Sequence, residues 1–114
     1  MPHFVIHCSD HILSLKDEEE ILRLVHDTDD ATGLFKKGDI KVRIQSFKDF
    51  MVGNTKSDFI HVFGNIMEGR TIEQKAGLSK GIITNLKFAF KAVPVISINI
   101  SEFEKATYCN RDMI

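Results

Sequence analysis

The residue with the most distinctive chemistry is a proline at the second position of the chain, Pro2. Removal of Met1 would make Pro2 a terminal secondary amine, whose pKa starts near the α-amino value of about 8. Burial and nearby cations both lower the pKa of an amine, and an amine that titrates near neutral pH is a good general base. Alternatively, Pro2 simply begins an edge strand, where a missing N–H costs nothing. If Met1 is retained, Pro2 is an internal amide and has no basic nitrogen.

Three cations lie where they could bind an anion. Lys41 and Arg43 are two residues apart in an alternating segment, so they share one face of a strand. Arg70 comes just before a predicted helix, whose first N–H groups and dipole favour anions. An arginine can also bind a carboxylate through two parallel hydrogen bonds. The alternative for each of these side chains is solvated surface charge.

Metal and nucleophile chemistry have little support. The sequence has no glycine-rich phosphate loop and no nucleophile elbow. The histidines have no acidic partner at zinc-like spacing, and we therefore expect no metal site. They are His3, His7, His11, His26 and His61.

The composition is that of an ordinary globular protein. At 114 residues the chain is expected to form one domain, and a formal net charge of −1 argues against a general nucleic-acid binder. No window approaches the length of an apolar membrane span, so no membrane partner is expected. Cys8 and Cys109 form no CxxC pair and are interpreted as free thiols. The expected location is the cytoplasm.

The hydrophobic pattern predicts the order β-α-β twice, in halves of about 1–53 and 54–101, followed by a C-terminal arm of about 102–114. Thr71 and Gln74 fit a capping box at the start of the second helix. The predicted elements are a strand over His3–Cys8, a helix over about 16–31, an alternating strand from Ile40, a strand over Phe59–Met67, a helix over about 72–92 and a strand over Val95–Ile100.

This order predicts an α+β fold, a two-layer α/β sandwich in which a four-stranded mixed sheet carries two helices on one face. The uncovered face would carry His3, Val5 and His7, with Lys41 and Arg43 beside them. An open, half-apolar face on so small a domain suggests a partner, most simply a second copy of the chain. Gly77 and Gly81, four residues apart in the second helix, are expected to pack closely on the sheet.

Four segments in this order, MPHFVIHCSD, DATGLF, GDIKVR and EGRTIEQKAGLSKGI, resemble the 5-carboxymethyl-2-hydroxymuconate isomerase family. That family belongs to the tautomerase superfamily, which is built on an N-terminal proline, and the resemblance extends from Pro2 to about Asn110. It implies two βαβ units in a fold like that of macrophage migration inhibitory factor. It also implies homotrimers with their sheets facing inward and with active sites at subunit boundaries.

The resemblance also implies roles for particular residues. Pro2 would be the general base, and Arg70 the catalytic cation before the second helix. Lys41 and Arg43 would bind substrate where family members often have an Arg-x-Arg pair. Lys41 departs from that pair, because a lysine keeps the charge but loses the planar two-pronged grip on a carboxylate.

The implied activity is a cofactor-free conversion of an unsaturated 2-hydroxy tricarboxylate to its 2-oxo isomer, in the breakdown of 4-hydroxyphenylacetate. Neither a metal nor an organic cofactor is expected. Two alternatives stay open. One is a tautomerase of a smaller 2-oxo acid such as phenylpyruvate, and the other is a trimeric binding module without turnover, if Met1 is retained.

Overall fold

The computed structural model describes every residue from Met1 to Ile114 and confirms the predicted order of strands and helices. The first half contains β1 (His3–Ser9), α1 (Ile12–Leu15), α2 (Glu18–Ala31) and β2 (Lys41–Phe47). The second half contains β3 (Phe59–Met67), α3 (Ile72–Ala89) and β4 (Val95–Phe103). Short 3₁₀ turns at Lys37–Asp39 and Arg111–Met113 complete the secondary structure.

The four strands form one mixed sheet in the order β2-β1-β3-β4. Within each half the two strands are parallel, because the helix between them returns the chain to the same end of the sheet. The central strands β1 and β3 are antiparallel, with His7 directly opposite His61. The start of β1 therefore lies beside the end of β3, where His3 pairs with Asn65.

Both long helices cover the same face of the sheet, as predicted. Alternate strand residues point toward them, and Phe4, Ile6 and Val62 have no exposed surface. The helices contribute one apolar row each, Ile21 and Val25 from α2 and Leu78, Ile82 and Leu86 from α3. None of the helices is both long enough and apolar enough to cross a membrane.

The other face of the sheet is open, and it carries the residues expected there. Lys41 and Arg43 are exposed, and His3 is half-buried. At its centre the ring of Phe63 lies 5.0 Å from that of His7 and 4.4 Å from that of His61, measured between centroids. With 43% of its surface exposed, Phe63 is a large apolar side chain without cover.

The element boundaries differ from prediction at several places. The first helix is divided, because Lys16 adopts an extended conformation (φ −145°, ψ 146°) between α1 and α2. The last strand continues to Phe103, three residues beyond the predicted end. At the start of α3 the predicted capping box is present, with Thr71 and Gln74 each accepting a main-chain hydrogen bond from the other.

The expectation for the two helix glycines was wrong. A Cβ added at Gly77 would have no neighbour within 4 Å, and one at Gly81 would meet Thr28 of α2 at 3.6 Å instead of the sheet. The glycine that close packing requires is Gly64 in β3. A Cβ there would lie 2.6 Å from Cδ1 of Ile100 and 3.0 Å from the ring of Phe4.

Candidate active site

The start of the chain is fixed against the turn that precedes β2. Pro2 is buried, and its carbonyl oxygen accepts a hydrogen bond from the main-chain N–H of Lys41 at 3.1 Å. The amino group of Met1 donates to the carbonyl oxygen of Asp39 at 3.3 Å and lies 3.9 Å from its Oδ2 atom. The first two residues are thus held at the end of the β1–β2 pair.

A cavity of about 370 Å³ opens beside Pro2. Its walls come from the start of β1, the segment between α2 and β2, the end of β3 and the loop before α3. The antiparallel pairing of β1 with β3 brings these parts together, because it puts the end of β3 next to the chain start. The lining residues are Met1, Pro2, Leu34, Phe35, Lys36, Asp39, Met67 and Arg70.

Arg70 is held in this cavity by two contacts with the segment after α2. Its Nη2 atom donates to the carbonyl oxygen of Leu34 at 2.5 Å, and its Cζ atom lies 5.1 Å from the centre of the Phe35 ring. A guanidinium over an aromatic face gains a cation–π attraction. The capping box already uses the N–H groups of Thr71 and Gln74 at the adjacent helix start, and the guanidinium supplies the positive charge here.

Lys41 and Arg43 lie outside the set of residues that line this cavity. The Nζ atom of Lys41 donates to the carbonyl oxygen of Asp39 at 2.8 Å, the same oxygen that accepts from the Met1 amine. On the open face, Nη1 of Arg43 donates to Nδ1 of His3 at 3.1 Å. The structure therefore brings Pro2 and Arg70 together, places Lys41 next to them, and leaves Arg43 on the sheet surface.

The surroundings of the terminal amine lower its pKa. Burial is the largest cause and the charge of Lys41 the next, and Arg70 acts in the same direction. The carboxylate of Asp39 opposes them and raises the pKa of this amine. Burial and the charges of Arg43 and Lys41 also lower the pKa of His3, which keeps its ring neutral and able to accept the hydrogen bond from Arg43.

Several residues near the chain start had no role in the sequence-based prediction. Leu34, Phe35 and Asp39 lie within the segments DATGLF and GDIKVR, and the family resemblance of these segments was the available signal for them. Tyr108 and Asn110 both contact the Met1 side chain, but they come from a tail with no periodic pattern. The remaining unpredicted lining residues are Lys36 and Met67.

Solved structures share this fold over nearly the whole chain. The crystal structure of a 5-carboxymethyl-2-hydroxymuconate isomerase from Deinococcus radiodurans R1 superposes with a TM-score of 0.85 at 21% identity, covering 96% of this chain and 88% of that one. A fused 4-OT symmetric trimer gives a TM-score of 0.80 at 12% identity, over 96% of this chain and 92% of that one. These likenesses define the fold class, a tautomerase-type α+β sandwich.

The sequence comparisons define the family. The family model described as 5-carboxymethyl-2-hydroxymuconate isomerase matches residues 2–114. The 5-carboxymethyl-2-hydroxymuconate Delta-isomerase of Escherichia coli is 27% identical over 95 residues, which cover 82% of this chain and 75% of that protein. The chain belongs to the 5-carboxymethyl-2-hydroxymuconate isomerase family, and it is an isomerase.

Proposed function

We propose that this isomerase converts 5-carboxymethyl-2-hydroxymuconate to its 2-oxo isomer without a cofactor, in the breakdown of 4-hydroxyphenylacetate. The observation that carries the proposal is that Pro2 and Arg70 line one cavity of about 370 Å³, although they are distant in sequence. Membership of the family supplies the substrate. The residues present supply a base and a cation for an anionic transition state.

In the proposed mechanism Met1 is removed, and the secondary amine of Pro2 takes the proton of the 2-hydroxyl group. The double bonds shift, and the protonated Pro2 returns the proton to C5, which leaves a 2-oxo product. Negative charge develops on the C2 oxygen as the dienolate forms, and Arg70 stabilises it as an oxyanion site would. The Leu34 and Phe35 contacts hold the guanidinium in place before the charge develops.

The same surroundings keep the base neutral. Burial, Lys41 and Arg70 lower the pKa of the terminal amine in the structure, and Pro2 is next to that amine in the chain. We expect them to act in the same direction on a Pro2 amine, because they disfavour its protonated form. A neutral secondary amine near physiological pH is the state that a general base requires.

We also propose a homotrimer whose inner surface is formed by the open sheet faces. The exposed Phe63 and the concentration of His3, His7, Lys41 and Arg43 on this face mark it as a surface to be covered. In such an assembly Arg43 lies at a subunit boundary, where it can bind a substrate carboxylate together with Lys41.

The central test compares the Met-free protein with Pro2→Ala, with ketonisation of 5-carboxymethyl-2-hydroxymuconate followed by ultraviolet absorbance. We expect kcat to fall about 100-fold or more, the usual contribution of a general base. The matched control is Pro94→Ala, because Pro94 is the only other proline and lies exposed before β4. Equal rates in Pro2→Ala and the parent protein would remove Pro2 from the mechanism.

A second candidate is a tautomerase of a smaller 2-oxo acid such as phenylpyruvate. The observation that favours it is that Lys41 donates to Asp39 and does not line the cavity, which leaves fewer cations for a tricarboxylate. A panel of substrates separates the two candidates by whether kcat/KM is higher for monoacids or triacids. Intact mass of the protein from its own host tests the remaining alternative, a trimeric binding module without turnover. A retained Met1 would leave Pro2 without a basic nitrogen.

A further inference from the structure

The C-terminal segment 104–114 folds back onto the start of the chain. The hydroxyl of Tyr108 donates a hydrogen bond to Sδ of Met1, and Nδ2 of Asn110 approaches the same sulfur at 3.7 Å. The segment is anchored at its beginning, where the N–H of Lys105 donates to Oε1 of Glu68 at 2.7 Å. The Tyr108 ring lies 5.6 Å from that of Phe103, between centroids.

Two polar donors thus converge on a thioether, which is a weak acceptor. Neither the Tyr108 hydroxyl nor the Asn110 amide nitrogen donates a hydrogen bond to any other protein atom. A carboxylate oxygen would be a much stronger partner for both, because charge-assisted hydrogen bonds are about twice as strong as neutral ones. Met1 also lines the cavity that contains Pro2 and Arg70, so the two donors contact a residue of the cavity wall.

We propose that, once Met1 is removed, Tyr108 and Asn110 bind a carboxylate of the substrate. The inference rests on the proposed function, which requires the loss of Met1. It makes the C-terminal segment a determinant of specificity for polycarboxylates. Arg70 provides charge for one anionic group, while Tyr108 and Asn110 provide two neutral donors for another.

The kinetic test uses two substitutions that preserve the local structure. Tyr108→Phe keeps the ring against Phe103 and removes only the hydroxyl. Asn110→Asp keeps the Oδ1 acceptor for the N–H of Asp112, at 3.1 Å, but replaces the donor with a negative charge. In Met-free protein we expect each to raise KM for the tricarboxylate about tenfold or more, the effect of losing a hydrogen bond to a charged group.

A specificity comparison separates substrate binding from a structural role. The KM for a monoacid such as phenylpyruvate should change much less in Tyr108→Phe than the KM for the tricarboxylate. Cys109→Ser is the matched control, since Cys109 lies between the two donors in sequence but is exposed. An equal effect of Tyr108→Phe on both substrates, or no effect on either, would overturn the inference.

Intrinsic fluorescence gives a second readout that does not depend on turnover. Tyr108 is the only tyrosine of the chain, which has no tryptophan, so the emission reports on this side chain alone. Tricarballylate, a transparent tricarboxylate, should change the emission of Met-free protein saturably. It should not change that of protein produced with methionine aminopeptidase inhibited, in which Met1 holds both donors.

The outcomes distinguish this inference from the proposed function. If Pro2→Ala keeps its full rate while Tyr108→Phe raises KM for the tricarboxylate, the base assignment fails and the inference stands. If the protein shows no ketonisation, the proposed function fails and the tricarballylate titration decides the inference. Unchanged emission of Met-free protein at saturating tricarballylate would contradict it.

Discussion

Arg70 and Leu34 are joined by a hydrogen bond of 2.5 Å from the guanidinium Nη2 to the main-chain carbonyl oxygen. This bond connects the loop before α3 to the segment after α2, two parts of the chain that belong to different βαβ units. It orients the guanidinium while the Phe35 ring supports the planar group. The orientation of Arg70 therefore depends on a main-chain oxygen, which no side-chain substitution removes.

Replacing Arg70 with lysine should reduce activity even though the charge is kept. A lysine ammonium cannot bond to Leu34 and present further planar donors to a substrate at the same time. We expect kcat/KM to fall about 10- to 100-fold in Arg70→Lys and further in Arg70→Ala. Arg23→Lys is the control, because Arg23 pairs with Glu19 on the exposed side of α2. Equal losses in the Arg23 and Arg70 variants would show that the effect is not local.

The pH dependence of kcat/KM should move in opposite directions when the two charged neighbours of the terminal amine are removed. The neutral amine is the active form, so activity rises as the pH passes through its pKa. Lys41 lowers the pKa of the Met1 amine and Asp39 raises it, and we expect the same directions at the Pro2 amine. Lys41→Gln should therefore shift the acidic limb to higher pH, and Asp39→Asn should shift it to lower pH.

The control for these profiles is Lys80→Gln, which removes a cation from the exposed surface of α3. Its acidic limb should coincide with that of the parent protein at the same ionic strength. A shift of the Lys41 and Asp39 variants in the same direction would mean that another group controls the limb.

Asp29 should make the protein less stable as the pH rises through neutrality. It is fully buried on α2, both its carboxylate oxygens lack hydrogen-bond partners, and burial raises the pKa of this carboxyl to about 8. Between its ordinary pKa of 3.8 and about 8, the folded protein keeps a proton that the unfolded chain releases. The free energy of unfolding should therefore fall through this window, by at most about 1.4 kcal/mol per pH unit, and level off above it.

Asp29→Asn tests this dependence, since an amide has nearly the shape of the protonated acid. From about pH 5 to about pH 7.5 the parent protein should lose stability while the variant does not. The free energy of unfolding of the variant minus that of the parent should therefore increase over this range. Urea denaturation at fixed protein concentration measures it, because assembly also contributes to stability. A difference that stays constant with pH would show that Asp29 is already ionised in the folded state.

The open sheet face should lose its ability to associate when a charge is placed at its centre. Phe63→Lys puts an ammonium between the rings of His7 and His61, and burying it in an interface costs several kcal/mol. We expect light scattering to give the 13.0 kDa mass of one chain for this variant and three times that mass for the parent protein. Phe88→Lys is matched to it, since Phe88 is 75% exposed on α3, away from this face. A trimeric Phe63→Lys protein would rule out this face as the interface.

The faces of the strands could be predicted because alternation is a local property. Phe4 and Ile6 point to the core and His3 and His7 to the open face, as the sequence pattern indicates. The break at Lys16 was harder to predict. The acidic residues after Lys16 are typical of a helix start, but they do not show where the preceding turn ends. Asp29 could not be recognised as buried, because it stands between other acids in a helix of mainly polar residues.

The candidate site was only partly predictable for a different reason. Pro2 and Arg70 were selected by chemistry and by family resemblance, but their meeting depends on the antiparallel pairing of β1 with β3, which no local pattern encodes. The place of Lys41 beside Asp39, and not in the cavity wall, depends on a single side-chain hydrogen bond. The contacts of Tyr108 and Asn110 join opposite ends of the chain and have no signature in spacing.

The opposed directions of β1 and β3 place the residues that precede these two strands at opposite ends of the sheet. The residue before β1 is Pro2, whereas the residue before β3 is Asp58, whose carboxylate binds the hydroxyl of Ser9 at 2.8 Å and the ring of His11 at 2.7 Å. The two ends of the sheet are thus alike in topology but only one has a chain terminus. A substrate analogue that alkylates the Pro2 amine of Met-free protein should therefore saturate at one equivalent per polypeptide.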